Sequence, residues 1–244
     1  MPKFFVRQDA VDQNKITIVG DDAFHISRAL RMAKGERITV CDMQRNEYDC
    51  VLSEFNQDNV VAEIISTKKI DNEPLVKTYL FQALPKGDKL DTVIQKSVEC
   101  GVFKITPFES ERCVAKSKPD AEARKTERRN RIALEAAKQC GRGYVPAVNP
   151  TVSFETAIEK ASECDLCIFC YEGEENLSLK ELLRESRGVE SIAVFIGSEG
   201  GFSLDEVKRA SECGMKSVSL GKRILRTETA SGFVLGCIVY ETEL

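Results

Sequence analysis

The sequence contains no tryptophan, only one histidine, and no apolar run of the about 18 residues that a membrane span requires. Its first residues, MPKFFVRQDAVDQ, are too charged, and their apolar part is too short, for a signal peptide. We therefore expect a cytoplasmic protein with no membrane partner. Because the one imidazole belongs to His25, any acid–base chemistry elsewhere in the chain must use other side chains.

The ten cysteines are scattered, mostly within apolar runs, which indicates reduced, partly buried thiols in a chain without an export signal. Cys164, Cys167 and Cys170 have a C-x-x-C-x-x-C spacing that iron–sulfur proteins also use. They lie at and within the expected strand DLCIFCY, where Cys167 would oppose the other two, and a fourth cysteine followed by proline is missing. We expect no cluster and no other metal.

The composition, 244 residues of which 42% are hydrophobic and 30% charged, fits one large or two modest globular domains. The net charge of −4 excludes a uniformly positive surface. Charge is nevertheless uneven, since residues 111–131 hold eight Lys and Arg against four Asp and Glu, whereas residues 151–191 hold four against ten. The basic segment can form a local anion-binding face.

The pattern of expected strands and helices divides the chain into two parts. Residues 1–72 contain one helical stretch, DAFHISRALRMAKG, and five short strand-like runs, which together predict a small β-barrel: FFVR, KITIVG, RITVCD, EYDCVLSE and VVAEIIS. Beyond KKIDNEP, in residues 73–244, helices alternate with five apolar strands: VKTYLFQAL, FKITPF, DLCIFCY, SIAVFIG and KSVSLG. This alternation predicts an α/β domain with a parallel sheet covered on both faces.

The stretch GSEGGFSLDE, residues 197–206, follows the strand SIAVFIG and enters a helix. Ser203 and Glu206 fit a capping box, which places the glycines at the carboxyl end of a strand, where α/β sheets bind ligands. Glycines allow positive φ and close backbone approach. The spacing is neither that of a dinucleotide site nor that of a P-loop, so a tight turn without a ligand is equally compatible.

A second stretch, LGKRILRTETASG at residues 220–232, also connects a strand to a helix, with Thr227 or Thr229 as the expected N-cap. Ile224 and Leu225 would be unfavourably exposed unless they line a pocket. If the two preceding strands are neighbours, the two loops lie side by side.

Together, GSEGGFS and LGKRILRTETA resemble the motif pair of the SPOUT methyltransferases, and most of all the ribosomal RNA small subunit methyltransferase E family, which methylates N3 of a uridine in 16S rRNA. Four further segments match in family order: HISRALRM, LPKGDKLDTVIQKSVECGV, ITPFESERCVAK and IALEAAKQCGRGYVP. Ser198 stands where the family usually has proline, and the basic helix lacks a common tryptophan. Neither departure removes a group needed for chemistry.

The resemblance implies a PUA-like barrel in residues 1–72, and in residues 73–244 a SPOUT domain with a C-terminal trefoil knot that binds S-adenosylmethionine. It implies a homodimer, and 16S rRNA or the 30S subunit as partner. The implied cofactor-binding residues are Tyr171, Glu172, Gly197, Ser198, Glu199, Gly200, Gly201, Leu220, Gly221, Ile224, Leu225, Arg226 and Thr229. The alternatives are a SPOUT enzyme acting on ribose 2′-oxygen or tRNA, and a non-catalytic ribosome-assembly factor.

With no imidazole in the second domain, we expect Arg226 to orient or stabilise the uridine, and Glu199 or Glu228 to accept its proton. An ion pair of Arg226 with either glutamate that only holds the loops is an equally good interpretation.

The long helix at about 120–140 carries a basic stripe opposite Ala133, Ala136, Ala137 and Cys140, and helical periodicity brings its members onto one side. A stripe of this kind contacts phosphates or is an ordinary solvated face. The residues expected to bind RNA are Arg7, His25, Arg28, Arg31, Lys34, Lys86, Arg124, Arg128, Arg131, Lys138 and Arg142.

Overall fold

The computed structural model describes residues 1–117 and 119–244, without the side chain of Pro119. The chain forms two compact units, one of Met1–Glu73 with Ala137–Val145 and one of Pro74–Ala136 with Pro146–Leu244. All ten cysteines are free thiols, as expected. In the described part of the chain, no helix has the length and apolar character of a membrane span.

The first unit is built on a six-stranded sheet in the order β1-β4-β5-β6-β3-β2, in which only the β1–β4 pair is parallel. The strands are β1 (Lys3–Phe5), β2 (Val11–Asp12), β3 (Lys15–Val19), β4 (Arg37–Cys41), β5 (Asn46–Phe55) and β6 (Asn59–Lys69). The sequence predicted five of them and missed β2, which has only two residues.

Alternation decides which face of these strands is buried. Ile16 and Ile18 of β3 are almost fully buried, while the alternate residues of the strand, Lys15, Thr17 and Val19, face solvent. A short 3-10 turn, Gln8–Ala10, precedes β2, and helix α1 (Gly20–Phe24) continues into a π-helical turn, His25–Ala29. The sequence predicted a helix through residue 35, but it ends earlier because Arg31 adopts a left-handed backbone conformation with φ of 52°.

The second unit contains a parallel sheet in the order β10-β8-β7-β12-β11-β13, with β9 paired to β8, which confirms the predicted α/β fold. Its strands are β7 (Lys77–Ala83), β8 (Lys104–Glu109), β9 (Ala147–Val148), β10 (Val152–Ser153), β11 (Leu166–Cys170), β12 (Ser191–Ile196) and β13 (Lys216–Val218). The five predicted strands are present, and the two that the sequence missed, β9 and β10, have two residues each.

Six helices follow the strands of this sheet: α2 (Lys89–Glu99), α3 (Pro119–Cys140), α4 (Phe154–Ala161), α5 (Leu179–Glu185), α6 (Leu204–Glu212) and α7 (Thr227–Glu243). Helix α2 ends before Gly101, whose φ of 85° gives the left-handed turn that favours glycine at this position. A Cβ there would also lie 2.4 Å from Pro74. Helix α7 packs against α2 and α5.

The core of the second unit is a cluster of phenylalanine rings. It joins the sheet to α4 and to the segment after β12 through Phe81, Phe108, Phe154, Phe169, Phe195 and Phe202. Phe202 directly follows the glycines of GSEGGFS, is 1% exposed, and has its ring centroid 4.1 Å from that of Phe169. The glycine-rich segment is therefore fixed to the core by its neighbour in sequence.

Candidate functional site

A cavity of about 1010 Å³ opens in the second unit, where the loops after β11, β12 and β13 meet. The residues from the sequence-predicted site that line it are Tyr171, Glu172, Gly197, Ser198, Glu199, Gly200, Gly201, Leu220, Gly221, Ile224, Leu225 and Arg226. We call residues 197–201 the glycine loop and residues 220–226 the RILR loop. Ten further lining residues were not predicted as site residues: Lys89, Cys170, Glu174, Glu175, Ile196, Ser219, Lys222, Arg223, Thr227 and Ala230.

The sequence analysis considered that the two loops follow neighbouring strands, but the structure shows that they do not. Strand β11 lies between β12 and β13 and pairs with both. The loops nevertheless meet, because all three strands are parallel and end at the same edge of the sheet. Tyr171 and Glu172, which follow β11, therefore occupy the position between the glycine loop and the RILR loop.

The glycine loop is a tight turn closed by the Gly201 amide, which donates to the Ser198 carbonyl at 3.0 Å. Gly201 has a φ of 63°, and a Cβ at this position would lie 2.4 Å from the carboxylate of Glu172. A Cβ on Gly200 would lie 3.0 Å from Arg112. The positive φ therefore favours glycine at position 201, and a Cβ at either position would force Glu172 or Arg112 to shift.

The predicted capping box at the start of α6 is confirmed. The Glu206 amide donates to Ser203 Oγ at 3.2 Å, and the Ser203 amide donates to the Glu206 carboxylate at 2.9 Å. The same carboxylate also accepts from Ser110 Oγ at 3.2 Å and from the Glu111 amide at 2.9 Å. Glu206 thus holds the segment after β8 against the end of the glycine loop.

Glu199 is engaged with the start of α2. Its carboxylate accepts from Lys89 Nζ at 2.7 Å and from the Lys86 amide at 3.2 Å. Burial alone would raise the pKa of Glu199, but hydrogen bonds from Lys89 and from the backbone outweigh this effect and lower the pKa. The charged form is therefore favoured, and Glu199 is a weak proton acceptor in this setting.

The RILR loop presents both apolar and charged groups to the cavity. Ile224 is 89% exposed and Leu225 is half-buried, so the cavity offers apolar surface to a ligand. Arg226 is exposed and, within the described ranges, forms an ion pair with neither Glu199 nor Glu228. The loop-holding ion pair considered from the sequence is therefore absent there, and Lys89 pairs with Glu199 instead.

Helix α7 begins at Thr227, with Arg226 as its N-cap and no side-chain cap, so the prediction of a threonine cap is wrong. This start directs Thr227 and Ala230, three residues apart, to the cavity. Glu228 and Thr229 follow Thr227 in the helix and lie on other sides of it. They are therefore not among the residues that line the cavity, and their roles in proton transfer and cofactor binding stay predictions.

Thr227 is the centre of a hydrogen-bond node that the sequence analysis missed. Its hydroxyl donates to the Gly197 carbonyl at 2.6 Å and accepts from Gln82 Nε2 at 2.9 Å. Gln82, at the end of β7, is fully buried and also donates to the Ala83 carbonyl at 3.0 Å. The node joins three chain segments beneath the cavity. No local pattern signals it, since Gln82 and Thr227 are 145 residues apart.

The predicted basic stripe of α3 is partly engaged in ion pairs. Arg128 pairs with Asp91 at 2.7 Å, and Lys138 pairs with Asp22 at 3.2 Å. Arg124 and Arg131 are exposed, while the alanines expected on the opposite side, Ala133, Ala136 and Ala137, are buried. The remaining predicted RNA-binding residues, apart from Arg142, have exposed side chains: Arg7, His25, Arg28, Arg31, Lys34 and Lys86.

Arg142 is the predicted RNA-binding residue whose position contradicts that role. It is 5% exposed, and its guanidinium donates to the Glu73 carboxylate at 2.6 and 3.1 Å. The Gly143 and Tyr144 amides donate to the same carboxylate at 3.0 and 3.1 Å. A buried guanidinium with this partner cannot reach a phosphate, so Arg142 serves the fold of the first unit.

The cysteine triplet lies at and in β11, as expected. Burial raises the pKa of Cys164 to about 12 and also raises those of Cys167 and Cys170, which disfavours the thiolate that binds metals. Within residues 1–117 and 119–244, no group of three or more His, Cys, Asp or Glu residues is arranged to hold a metal ion.

Comparisons with known proteins agree with the family resemblance. A family model described as an RNA methyltransferase domain matches residues 71–239. The chain is 33% identical over its full length to the ribosomal RNA small subunit methyltransferase E of Bacillus subtilis, and the alignment covers 98% of that relative. The relative of the same name from Mesomycoplasma hyopneumoniae is 35% identical over 71% of this chain and 74% of its own.

Two solved structures are similar over nearly the whole chain. The ribosomal RNA small subunit methyltransferase E of Neisseria gonorrhoeae, bound to S-adenosyl methionine, has a TM-score of 0.82 at 30% identity, covering 98% of this chain and 97% of its own. A methyltransferase of Legionella pneumophila in complex with SAM has a TM-score of 0.85 at 28% identity, covering 98% and 96%. The sequence motifs, the fold and these matches agree: the chain belongs to the ribosomal RNA small subunit methyltransferase E family.

Proposed function

We propose that this enzyme transfers a methyl group from S-adenosylmethionine to N3 of a uridine in the 16S rRNA of the small ribosomal subunit. The observation that carries the proposal is the cavity formed by the glycine loop, the RILR loop, Tyr171 and Glu172. The names of the relatives and the cofactor bound in two similar structures support the same activity.

The cavity fits this cofactor in size and chemistry. Its volume of about 1010 Å³ is at the upper end of the range of small-molecule sites, about 300–1,000 Å³. Ile224 and Leu225 offer apolar surface to a purine ring, and the backbone of Gly221 is exposed for hydrogen bonds to its edge. The glycines at positions 200 and 201 leave these two positions of the loop without side chains. When bound, the cofactor supplies an electrophilic methyl group on a sulfonium.

Arg226 is the residue that we assign to catalysis. Methylation at N3 requires the N3 proton to leave, so the uridine ring must carry negative charge as the new bond forms. Arg226 lines the cavity as an exposed cation and can stabilise that charge. Because Glu199 is bound to Lys89 and Lys86, we assign it to holding the glycine loop, and Glu228 stays the proposed acceptor of the N3 proton.

Single-turnover methylation at saturating cofactor tests these two roles. Arg226→Ala should reduce the rate by about 10²–10³, the usual effect of removing one electrostatic donor, with little change in cofactor affinity. Glu199→Gln should weaken cofactor binding and leave the saturated rate close to that of wild type. A wild-type rate for folded Arg226→Ala would remove this residue from the mechanism.

For the architecture, we propose that residues 1–72 form a PUA-like barrel and residues 73–244 a SPOUT domain with a trefoil knot. We also propose a homodimer formed through α7, because Phe233 and Tyr240, 42% and 69% exposed, lie on this helix beside the exposed Gly236. Analytical ultracentrifugation of Tyr240→Arg should show a shift from dimer to monomer. An experimental structure with an unknotted chain would contradict the knot.

For substrate binding, we propose that the exposed cations of both units contact rRNA phosphates, in free rRNA or the assembled 30S subunit: Arg7, His25, Arg28, Arg31, Lys34, Lys86, Arg124, Arg128 and Arg131. Each phosphate contact releases counterions, so the affinity for RNA should fall steeply as salt increases. Affinity that does not change with salt would contradict this proposal.

Mass spectrometry of 16S rRNA from cells that lack the protein tests the proposed function as a whole. The expected result is the loss of 3-methyluridine and its return when the wild-type protein is supplied. Loss of a ribose 2′-O-methyl group or of a tRNA modification would instead identify another substrate. Calorimetry that detects no S-adenosylmethionine binding would favour a non-catalytic assembly factor.

A further inference from the structure

Phe24, in the first unit, has an unusually exposed ring. It lies at the end of α1 and is 65% exposed, whereas Phe4, Phe5 and Tyr48 of the same unit are buried. An aromatic ring in solvent gains nothing for folding, and proteins that bind single-stranded nucleic acid use such rings as stacking platforms. The position of Phe24 therefore indicates a role in binding.

The chain that follows Phe24 is positively charged. Four exposed cations occur within its next 13 residues, and none has an ion-pair partner among the described residues: Arg28, Arg31, Lys34 and Arg37. Elsewhere in the unit, Lys3 and Lys68 pair with Glu47, and Lys15 pairs with Glu54. Residues 25–37, which follow the exposed ring in the chain, thus carry four cations against one carboxylate, Glu36, and this excess favours an anionic partner.

The backbone here is also irregular. Residues His25–Ala29 form a π-helical turn, and the Leu30 amide donates to the His25 carbonyl at 2.9 Å. Arg31 has a φ of 52°, a conformation that glycine adopts more easily than arginine. Because the Arg31 side chain is exposed, packing does not explain why arginine occupies this strained position. Irregular and strained segments of this kind concentrate at functional sites.

We propose that this segment binds a single-stranded stretch of the RNA substrate, with Phe24 stacked on an unpaired base and Arg28 and Arg31 on flanking phosphates. The aromatic ring fits the bases of a nucleic-acid strand, and the cations fit its phosphates. A duplex does not offer the face of a base to Phe24, so the segment selects unpaired RNA. The inference rests on the proposed function only in taking RNA as the substrate.

Binding of the full-length protein to a fluorescent, uridine-containing RNA oligonucleotide, alone or annealed to its complement, tests this inference. Phe24→Ala should weaken binding of the single strand between about fivefold and a hundredfold, without changing the slope of log affinity against log salt. Arg28→Ala should reduce that slope by about 0.7, the value for one phosphate contact on a single strand. Binding of the duplex should change little in Phe24→Ala.

Conservative variants separate stacking from other roles. Phe24→Trp should keep wild-type affinity, whereas Phe24→Leu, which is apolar but has no aromatic face, should bind as weakly as Phe24→Ala. Arg31→Gly should raise the melting temperature, because it relieves the left-handed backbone, and yet weaken RNA binding. Lys15→Ala, which removes a paired cation from β3, is the charge control and should bind nearly as wild type.

Wild-type affinity in Phe24→Ala, or in Phe24→Leu, would overturn the stacking role, and an equal loss on the duplex would overturn the selection of unpaired RNA. Arg31→Gly that is neither more stable nor weaker in RNA binding would contradict the role of Arg31. Calorimetry with S-adenosylmethionine separates this inference from the proposed function, since failure of the wild-type protein to bind it would affect only the enzymatic assignment.

Discussion

Replacing Thr227 with valine removes the hydroxyl that joins β7, the glycine loop and α7. That hydroxyl donates to the Gly197 carbonyl and accepts from Gln82 Nε2, so two hydrogen bonds are lost together. Each contributes about 0.5–1.5 kcal/mol, which gives about 1–3 kcal/mol of lost stability. The Gly197 carbonyl keeps only a longer contact of 3.4 Å with Gln82 Nε2. The loop is then less well fixed, and cofactor affinity should fall at least about tenfold.

Urea unfolding and calorimetry with S-adenosylmethionine measure the two effects separately. Thr227→Ser keeps the hydroxyl and should restore most of the affinity. Thr106→Val is the matched control, because Thr106 is also buried and its hydroxyl accepts from Asn149 Nδ2 at 2.8 Å, but it does not line the cavity. Thr106→Val should lose stability and keep the cofactor affinity. If Thr227→Val behaves in the same way as this control, the node serves folding alone and the reasoning is refuted.

Three further predictions concern other parts of the molecule. Gly201→Ala should bind S-adenosylmethionine poorly in calorimetry, because a φ of 63° is strained for a residue with a Cβ and the added atom would displace the Glu172 carboxylate; normal affinity would contradict this. Arg142→Ala should lose about 3–5 kcal/mol in urea unfolding, because it leaves the Glu73 carboxylate buried without its cation. Burial disfavours the charged form of Glu122, but hydrogen bonds outweigh this and lower its pKa from 4.5 to about 2. Its stabilising effect is therefore complete above the ordinary pKa and disappears as the pH falls towards 2, so the unfolding midpoint of Glu122→Gln should depend less on pH in this range.

Local patterns in the sequence were sufficient for most of the fold. Apolar runs predicted the five main strands of the parallel sheet, because strands buried on both faces are almost wholly apolar. The start of α6 followed from Ser203 and Glu206, whose side chains act within one turn. Strands of two residues, such as β9 and β10, carry no periodicity and were missed.

What the sequence could not provide depends on contacts between distant residues. Arg142 was expected to contact RNA because nothing near it in sequence indicates burial; its partner, Glu73, is 69 residues away. The cavity-lining residues of α7 could not be identified from the sequence for a different reason. Three residues near its start, Thr227, Glu228 and Thr229, can each be placed on the cavity side, and only the observed first residue of the helix decides among them.

The carboxylate of Glu206 has a consequence for how the chain folds. Its capping of α6 is a contact between residues three apart, but the same oxygen atoms hold Ser110, which is 96 residues earlier in the chain. The helix start is therefore complete only after a large loop has closed, and loop closure of this size slows folding. We expect Glu206→Gln to slow refolding more than it lowers the final helix content.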